Sequence, residues 1–325
     1  MIESASSSSA QSPARRRLAH AADAVLFWRP LVRHALALHA PVPEMRAAQA
    51  FARWYEHLNP AGLLYNLYLH RHLLRQLTRR DIESRYRGSS LGLLWALVTP
   101  LLLLAIYTFV FSVIFQARWQ QGGSVDRVDF AITLFAGLIA FGVFTECVNR
   151  APLLITGNPN YVKRVVFPLE VLPVTVLGSA LFHALISMGV LVAGLLAVRH
   201  TLPATILLLP VAALPLVALS LGTAWFLASL GVYLRDTANA VSLVTQMLFF
   251  LTPLFYPIEA VPAAFRPLLW INPLSAVVDG FRRVAVFGQP LAWLPWAAVT
   301  AVSLAMLLLG YAWFMKTKIG FANVI

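Results

Sequence analysis

From residue 91 to the C-terminus the chain is a succession of long apolar runs separated by connections rich in proline, glycine and charge. A bilayer's hydrocarbon core is about 30 Å thick and takes roughly 20 helical residues. Six runs reach that length: residues 91–115, 130–148, 171–198, 202–234, 237–258 and 291–315. Backbone amides cannot stay unpaired in lipid, so each run predicts a helix. The fourth exceeds a single crossing, and Pro210 and Pro215 predict a break or tilt near its outer end. The expected fold class is an all-α polytopic membrane protein with six transmembrane helices.

Ahead of these runs the pattern changes. Over residues 62–80, Leu63, Leu67, Leu74 and Leu77 share one helical stripe and Arg71, Arg75 and Arg79 another. That stretch is too polar to span and too apolar for water alone. It predicts an amphipathic helix lying in the cytoplasmic interface; a soluble helix packed on a partner is the alternative. Asn59-Pro60 marks a boundary. The chain therefore divides into an N-terminal extension (1–60), an interface helix with a basic lead-in (61–90) and a six-span domain (91–325). Residues 1–14 have the serine-rich, low-complexity composition of disordered chain, and 15–60 are Ala- and Arg-rich with room for a short helix or two.

Two connections are long. In the inner loop 149–170, a short helix over residues 152–156 ended by Gly157-Asn158-Pro159 predicts a compact knob. Exposed Leu153, Leu154 and Ile155 would suit a groove on another protein; a membrane-surface turn buried by its own apolar residues fits the residues equally. The outer segment 259–290 alternates apolar pieces with Pro262, Pro267, Asn272-Pro273, Gly280, Gly288 and Pro290. Its pieces 263–271 and 274–287 are too short to cross and predict two short helices re-entering the outer leaflet, since irregular backbone is tolerated at depth beside a cavity. Asp279 and Arg283, four apart, are placed to pair on one face, and Arg282 is expected to snorkel into water.

Composition agrees with a membrane domain. Of 325 residues, 59% are hydrophobic and 12% charged, against about 25% charged in a soluble domain. The net charge of +12 does not indicate nucleic acid, because 13 of the 25 Lys and Arg precede residue 88, beside the first run. With the N-terminus inside, cytoplasmic segments hold 19 of these cations and outer segments six, which predicts both termini in the cytoplasm. The single cysteine, Cys147, excludes an intrachain disulfide and is expected to be buried. Asp23, Arg29 and Arg33 interrupt the stretch after Arg15-Arg16-Arg17, which argues against a cleaved signal peptide.

Enzymatic motifs are missing. No G-x-x-x-x-G-K-[ST] occurs, no histidine joins an H-E-x-x-H arrangement, and no metal or cofactor site is expected on this chain. The span centres lack carboxylates, which counts against proton or sodium coupling. His183 is expected to hydrogen-bond between helices and Glu146 to pair with Arg150. Aromatic residues decorate the first run (Tyr107, Phe109, Phe111, Phe115) and the fifth (Phe249, Phe250, Phe255, Tyr256). They fit either a lined channel, since aromatic faces stack on sugar C–H faces, or an interfacial belt. Ser220, Gly222, Ala224, Ala228 and Gly231 offer a close-packing surface for an intrachain contact or a dimer seam.

The lead-in Arg80-Asp81-Ile82-Glu83-Ser84-Arg85-Tyr86-Arg87-Gly88-Ser89 with Leu91-Gly92-Leu93-Leu94-Trp95 and Pro100 resembles the start of the polysaccharide-export permeases of ABC transporters. So do Asn160-Tyr161-Val162-Lys163-Arg164-Val165-Val166-Phe167-Pro168-Leu169-Glu170 with Pro173, and the closing segments 253–257 and 272–282. The likeness covers residues 62–325 and is nearest to O-antigen export permeases, with capsule and teichoic-acid exporters next. It implies a homodimer in a bacterial inner membrane, working with two copies of a separate ABC ATPase that carries ATP and Mg. The implied substrate is a polysaccharide on undecaprenyl diphosphate, and the other implied contacts are membrane lipids. Within the resemblance, Tyr107, Phe111, Phe115, Phe249, Phe255 and Tyr256 are candidates for the channel, and Arg85 and Arg87 for the lipid diphosphate or headgroups. Arg150, Leu153, Leu154, Ile155, Gly157 and Asn158 are candidates for coupling to the ATPase. Trp270, Asn272, Asp279 and Arg283 are candidates for a periplasmic gate. A small-lipid or drug exporter of similar fold and a membrane glycosyltransferase are the competing readings; the latter lacks paired catalytic carboxylates.

Overall fold

The computed structural model describes residues 60–114, 127–163 and 167–325. The expectations for residues 1–59 and for Phe115 lie outside the described residues. Among those described, the regular structure is helical, with no strand. The predicted interface helix is two helices, α1 (Pro60–Leu69) and α2 (Arg71–Tyr86), meeting at His70. The leucine stripe faces the bundle: Leu63 is buried and Leu67, Leu74 and Leu77 half-buried, while Arg71, Arg75 and Arg79 are exposed.

The first apolar run is not uniform. A 3-10 turn, Gly92–Leu94, leads into α3 (Trp95–Tyr107), which continues as a π-helical stretch, Thr108–Ile114. Next come α4 (Arg127–Leu154), the short α5 (Pro159–Val162) and α6 (Val171–Arg199). The 3-10 turn Ala204–Leu208 precedes α7 (Leu209–Tyr233), with Pro210 in its first turn, where the missing N–H costs nothing. After α8 (Thr237–Leu251) come two short helices, α9 (Arg266–Ile271) and α10 (Pro273–Ala285). The chain closes with α11 (Trp293–Thr317) and α12 (Phe321–Val324).

Five segments are long and apolar enough to cross a membrane: Gly92–Val110, Val128–Leu154, Val171–Arg199, Ala204–Tyr233 and Trp293–Val324. The run predicted over residues 237–258 is helical only to Leu251, and its 15 residues at about 1.5 Å each fall short of a core of about 30 Å. The cause is local. Pro253 drives the preceding residue out of the helical region, and Thr252 is extended (φ −84°, ψ 134°).

The second long helix, α4, is the hub. In its most apolar stretch 72% of residues are buried, against 6% in the first long segment and 11% in the third, so α3 and α6 lie at the periphery. The two ends of the bundle are pinned differently. At one end Asp129 on α4 pairs with Arg199 on α6 (2.7 Å), and Arg199 also donates to the Val286 carbonyl (2.5 Å). At the other, basic end, Glu170 binds Lys318 (2.6 Å) and Asn66 (3.1 Å), so α1 and the C-terminal segment meet before α6 begins. Trp225 of α7 is fully buried, donates to the Glu170 carbonyl (3.0 Å) and packs edge-on to Tyr311 of α11.

The small-residue surface on α7 proves to be an intrachain seam. Ser220, Gly222, Ala224, Ala228 and Gly231 are all buried. A methyl at Gly222 would strike the Met306–Leu307 backbone of α11, one at Gly310 the Gly222 carbonyl, and one at Gly231 the Pro152 backbone. Backbone cannot yield as a side chain does, so overpacking here is expected to cost about 1–3 kcal/mol or more. Gly222→Leu should lower the thermal midpoint of the purified protein by several degrees. Gly189→Leu, on an open surface of α6, should leave it unchanged; thermal unfolding in detergent reads both.

Candidate functional site

The polar chemistry of the bundle gathers where α2, α4 and α6 meet. Glu146, on α4, accepts from Arg85 of α2 (2.8 Å) and from Arg150 one turn on (3.5 Å), and lies 3.3 Å from His183 of α6. His183 also contacts Arg85 (2.8 Å) and the Tyr86 hydroxyl (2.8 Å). Arg150 grips Asp81 with both terminal nitrogens (2.9 and 2.5 Å). Three helices are thus joined through one carboxylate and one imidazole, and the helix-to-helix role predicted for His183 is what the geometry displays.

This network forms one wall of a cleft of about 820 Å³ between α3, α4 and α6. Arg85, Tyr86, Glu146 and His183 line its polar part; Tyr107, Phe141, Leu138 and Phe249 line its apolar part. The side chain of Arg85 is 45% exposed and that of Glu146 15%, so the guanidinium stands at the surface and the carboxylate behind it. All its bonds use Nη1, which leaves Nη2 and Nε for a ligand among the described residues. Arg87 is exposed at the end of α2. An arrangement with a cation at one end and an aromatic trough behind it suits an amphiphile with an anionic head.

Rings form a second cluster between α3 and α8. Phe249 lies 6.1 Å from Tyr107, 5.0 Å from Phe255, 5.5 Å from Phe141 and 5.4 Å from Phe250, centroid to centroid. Tyr107 is also 5.9 Å from Phe255. The structure therefore brings together Tyr107, Phe249 and Phe255 from the predicted channel set. Phe255, however, is buried, so it backs the other rings and adds little to the exposed surface. Tyr256 donates its hydroxyl to the Phe250 carbonyl (2.8 Å). Phe111 falls in the π-helical stretch.

The predicted inner knob is corrected in three respects. It is no separate helix: α4 runs through Pro152 to Leu154 and stops in a turn. Ile155 is fully buried, while Leu153 is 60% exposed and Leu154 half-buried, so Leu153 is the one large apolar side chain that the turn presents. Arg150 is held inward by Asp81 and Glu146. Gly157 and Asn158 close the helix: the Gly157 amide donates to the Leu153 carbonyl (2.8 Å) and the Asn158 side chain to that of Leu154 (2.9 Å). Arg80 fastens the following segment to α2 through the Tyr161 hydroxyl (3.1 Å), and Tyr161 stacks on Phe167.

At the opposite end, α9 and α10 match the two short pieces expected over residues 263–287. Asn272 caps α10 by accepting from the Leu274 amide (3.0 Å) and donates to the Thr252 hydroxyl (2.9 Å). Asp279 and Arg283 pair as spaced (2.7 Å), and Trp270 is 75% exposed. Arg282 overturns its expectation: it does not snorkel but is 3% exposed, donating to backbone carbonyls of Thr133, Pro253 and Leu254. Sequence reasoning missed this role, and Asp81 with it. A carbonyl acceptor has no side-chain signature; only the charge amid apolar residues pointed to Arg282.

Residues 72–286 match the protein family described as ABC-2 type transporter. Among curated proteins, the chain is similar to the O-antigen export system permease protein RfbA of Myxococcus xanthus, 27% identical over 265 residues, 81% of this chain and 99% of that protein. An RfbA of Klebsiella pneumoniae is 26% identical over 263 residues, 80% of this chain and 98% of its own. The polysialic acid transport protein KpsM of Escherichia coli is 26% identical over 216 residues, covering 64% and 79% respectively.

The Arg150–Asp81 pair yields a test. Burial alone would raise the Asp81 carboxyl; the hydrogen bonds and charge of Arg150, with the charge of Arg85, outweigh it and hold Asp81 below its ordinary value. A carboxyl depressed in the folded state stabilises above its unfolded pKa of about 3.9 and loses that contribution as pH falls through the lower folded value. Arg150→Ala should cost on the order of 2 kcal/mol at pH 7 by stranding Asp81. Between pH 6 and pH 3, thermal stability should fall less in Asp81→Asn than in the parent.

Proposed function

The chain belongs to the ABC-2 type transporter family, and from that premise we propose that it is the membrane subunit of an ATP-driven exporter of a lipid-linked polysaccharide. The substrate is an O-antigen-class glycan on undecaprenyl diphosphate, carried outward across a bacterial inner membrane. The observation that carries this reading is the alignment with O-antigen export permeases over about four fifths of this chain and nearly all of their own length. No phosphate-binding loop occurs in the sequence, so hydrolysis belongs to a separate ABC ATPase, in two copies for a homodimer of this chain.

In this reading both termini are cytoplasmic and α8 with the segment after it counts as the fifth crossing. The α1–α2 pair lies in the cytoplasmic interface, with Leu64, Tyr65, Tyr68 and Leu69 facing lipid. Arg85 and Arg87 meet the anchor's diphosphate at the mouth of the cleft, and the trough behind receives isoprenoid chain. The ATPase bears on the turn after α4 through Leu153. Because α4 is the hub, a push there is felt along its length and parts α3 from α8, where the Tyr107–Phe249–Phe255 rings lie. Once parted, those rings offer sliding contacts to sugar. Trp270, Asn272, Asp279 and Arg283 belong to the outer hairpin that covers the path. A capsule-polymer exporter is the second reading, supported by the likeness to KpsM.

Two outcomes check the proposal. Leu153→Asp should abolish co-purification with the ABC ATPase that binds the parent chain while leaving membrane insertion intact; unchanged co-purification removes the coupling role. Tyr107→Ala with Phe249→Ala should cut surface glycan at least tenfold at normal protein levels. Analysis of the glycan lost when the gene is deleted separates lipopolysaccharide side chains from capsule.

A further inference from the structure

Between α7 and α8 the bundle leaves a groove of about 800 Å³. Its floor is Phe144 and Val148 of α4, and its walls include Leu227 and Leu230 of α7 and Val241 and Leu248 of α8. Thr237 and Thr245 also line it, but their hydroxyls are spent on the Leu234 and Ser242 carbonyls, so the lining they offer is chiefly methyl. From Thr237 to Leu248 the groove follows α8 for about 17 Å by helical rise, close to half of a hydrocarbon core of about 30 Å. Its volume along that length gives a cross-section of about 50 Å². A helix about 10 Å across needs about 80 Å². The groove is too narrow for a partner's helix and has the depth and polarity for acyl chain of one leaflet.

The groove's mouth, at the basic end of the bundle, is the link Leu234-Arg235-Asp236. Tyr233 fixes this rim by donating its hydroxyl to the Thr317 carbonyl (3.0 Å). Arg235 and Asp236 are both exposed, and among the described residues neither side chain is paired. The first turn of α8 opens here without a side-chain cap from Asp236, so the positive end of that helix faces the same mouth. We propose that the groove binds a phospholipid whose head carries a phosphate and a primary ammonium, the phosphatidylethanolamine class. The acyl chains lie in the groove, the phosphate meets Arg235, and the ammonium meets Asp236. An anionic head such as phosphatidylglycerol brings no cation to the Asp236 carboxylate. A quaternary ammonium has no N–H to donate to it. The seated lipid fills the space between α7 and α8 and braces α8 over α4. The site is independent of what the chain exports.

Native mass spectrometry of the full-length chain, with dioleoyl phosphatidylethanolamine, phosphatidylglycerol and phosphatidylcholine added one at a time, tests it. Phosphatidylethanolamine should be retained about tenfold better than either other lipid, and Arg235→Gln or Asp236→Asn should each cut its retention about tenfold. Both side chains are exposed, so the thermal midpoint without lipid should stay as in the parent. The rise that phosphatidylethanolamine gives the parent should vanish in both variants. Ala240→Trp from α8 and Leu230→Trp from α7 fill the groove and should block retention with the head contacts intact. Equal retention of the three lipids overturns the proposal, as does retention that neither head variant lowers. Retention that survives the groove-filling variants in folded protein moves the lipid elsewhere and overturns the site. Val244, 52% exposed on the rim, tests the rival occupant. Disulfide cross-linking of Val244→Cys between two copies in membranes, with Cys147→Ser to remove the only cysteine, would give the groove to a second chain and overturn the site.

Discussion

In hydrocarbon a peptide group has no solvent to fall back on, and each departure from the helix must bring its own donors and acceptors. Several polar side chains of this bundle stand at such departures. Asn158 closes the end of α4 against the Leu154 carbonyl, Asn272 opens α10 against the Leu274 amide, and Arg282 serves the carbonyls after Leu251. The same rule explains why α10 can be so deeply packed. Its buried face is mainly leucine, valine and phenylalanine, with Ser275, Gly280 and Ala285 among them, and its one buried charge is spent on the backbone carbonyls of Thr133, Pro253 and Leu254.

Ion pairs carry a different load. Taking charges out of water costs about as much as the pairing returns, so the Arg85–Glu146–Arg150–Asp81 network is poor evidence of net stability. It is good evidence of geometry. Glu146 and His183 can be satisfied only if α2, α4 and α6 stand in one register. That register places Arg85 at the mouth of the cleft. Leu153 stands two turns beyond Glu146 along α4, about 10 Å by helical rise. In the proposed reading, a headgroup contact at Arg85 on α2 reaches a motor contact at Leu153 on α4 through the Arg85–Glu146 ion pair.

Much of this was legible in the chain. Long apolar runs need no partner to declare themselves, and the leucine stripe of α1–α2, the cap at Gly157-Asn158 and the Asp279–Arg283 pair are local patterns with local causes. What escaped were relations across the fold. Ile155 reads as an exposed turn residue until the packing around the end of α4 covers it. Arg150 reads as a docking cation until Asp81, 69 residues away, claims it. Phe255 reads as lining until Phe249 and Tyr107 close over it. The seam on α7 could not be assigned because its partner, Gly310, becomes meaningful only once α11 lies alongside.

The two seams of the bundle differ in kind, and that decides where it can move. Between α7 and α11 the backbones touch at Gly222 and Gly310, with no side chain between them to give way. Such a contact slides or separates only by losing all its packing at once. Between α3 and α8 with the segment after it, the contact is ring on ring, tilted or edge-on at 5.9–6.1 Å. Aromatic pairs of this kind are each worth about 0.5–1.5 kcal/mol beyond the area they bury and tolerate a range of angles. The first long segment is also the least buried of the five, at 6%, and is interrupted by Pro100 and a π-helical stretch. In the transport cycle proposed above, a push on α4 would be carried by α7 and α11 as one block and relieved at the aromatic seam, the side of the chain that the cleft already opens.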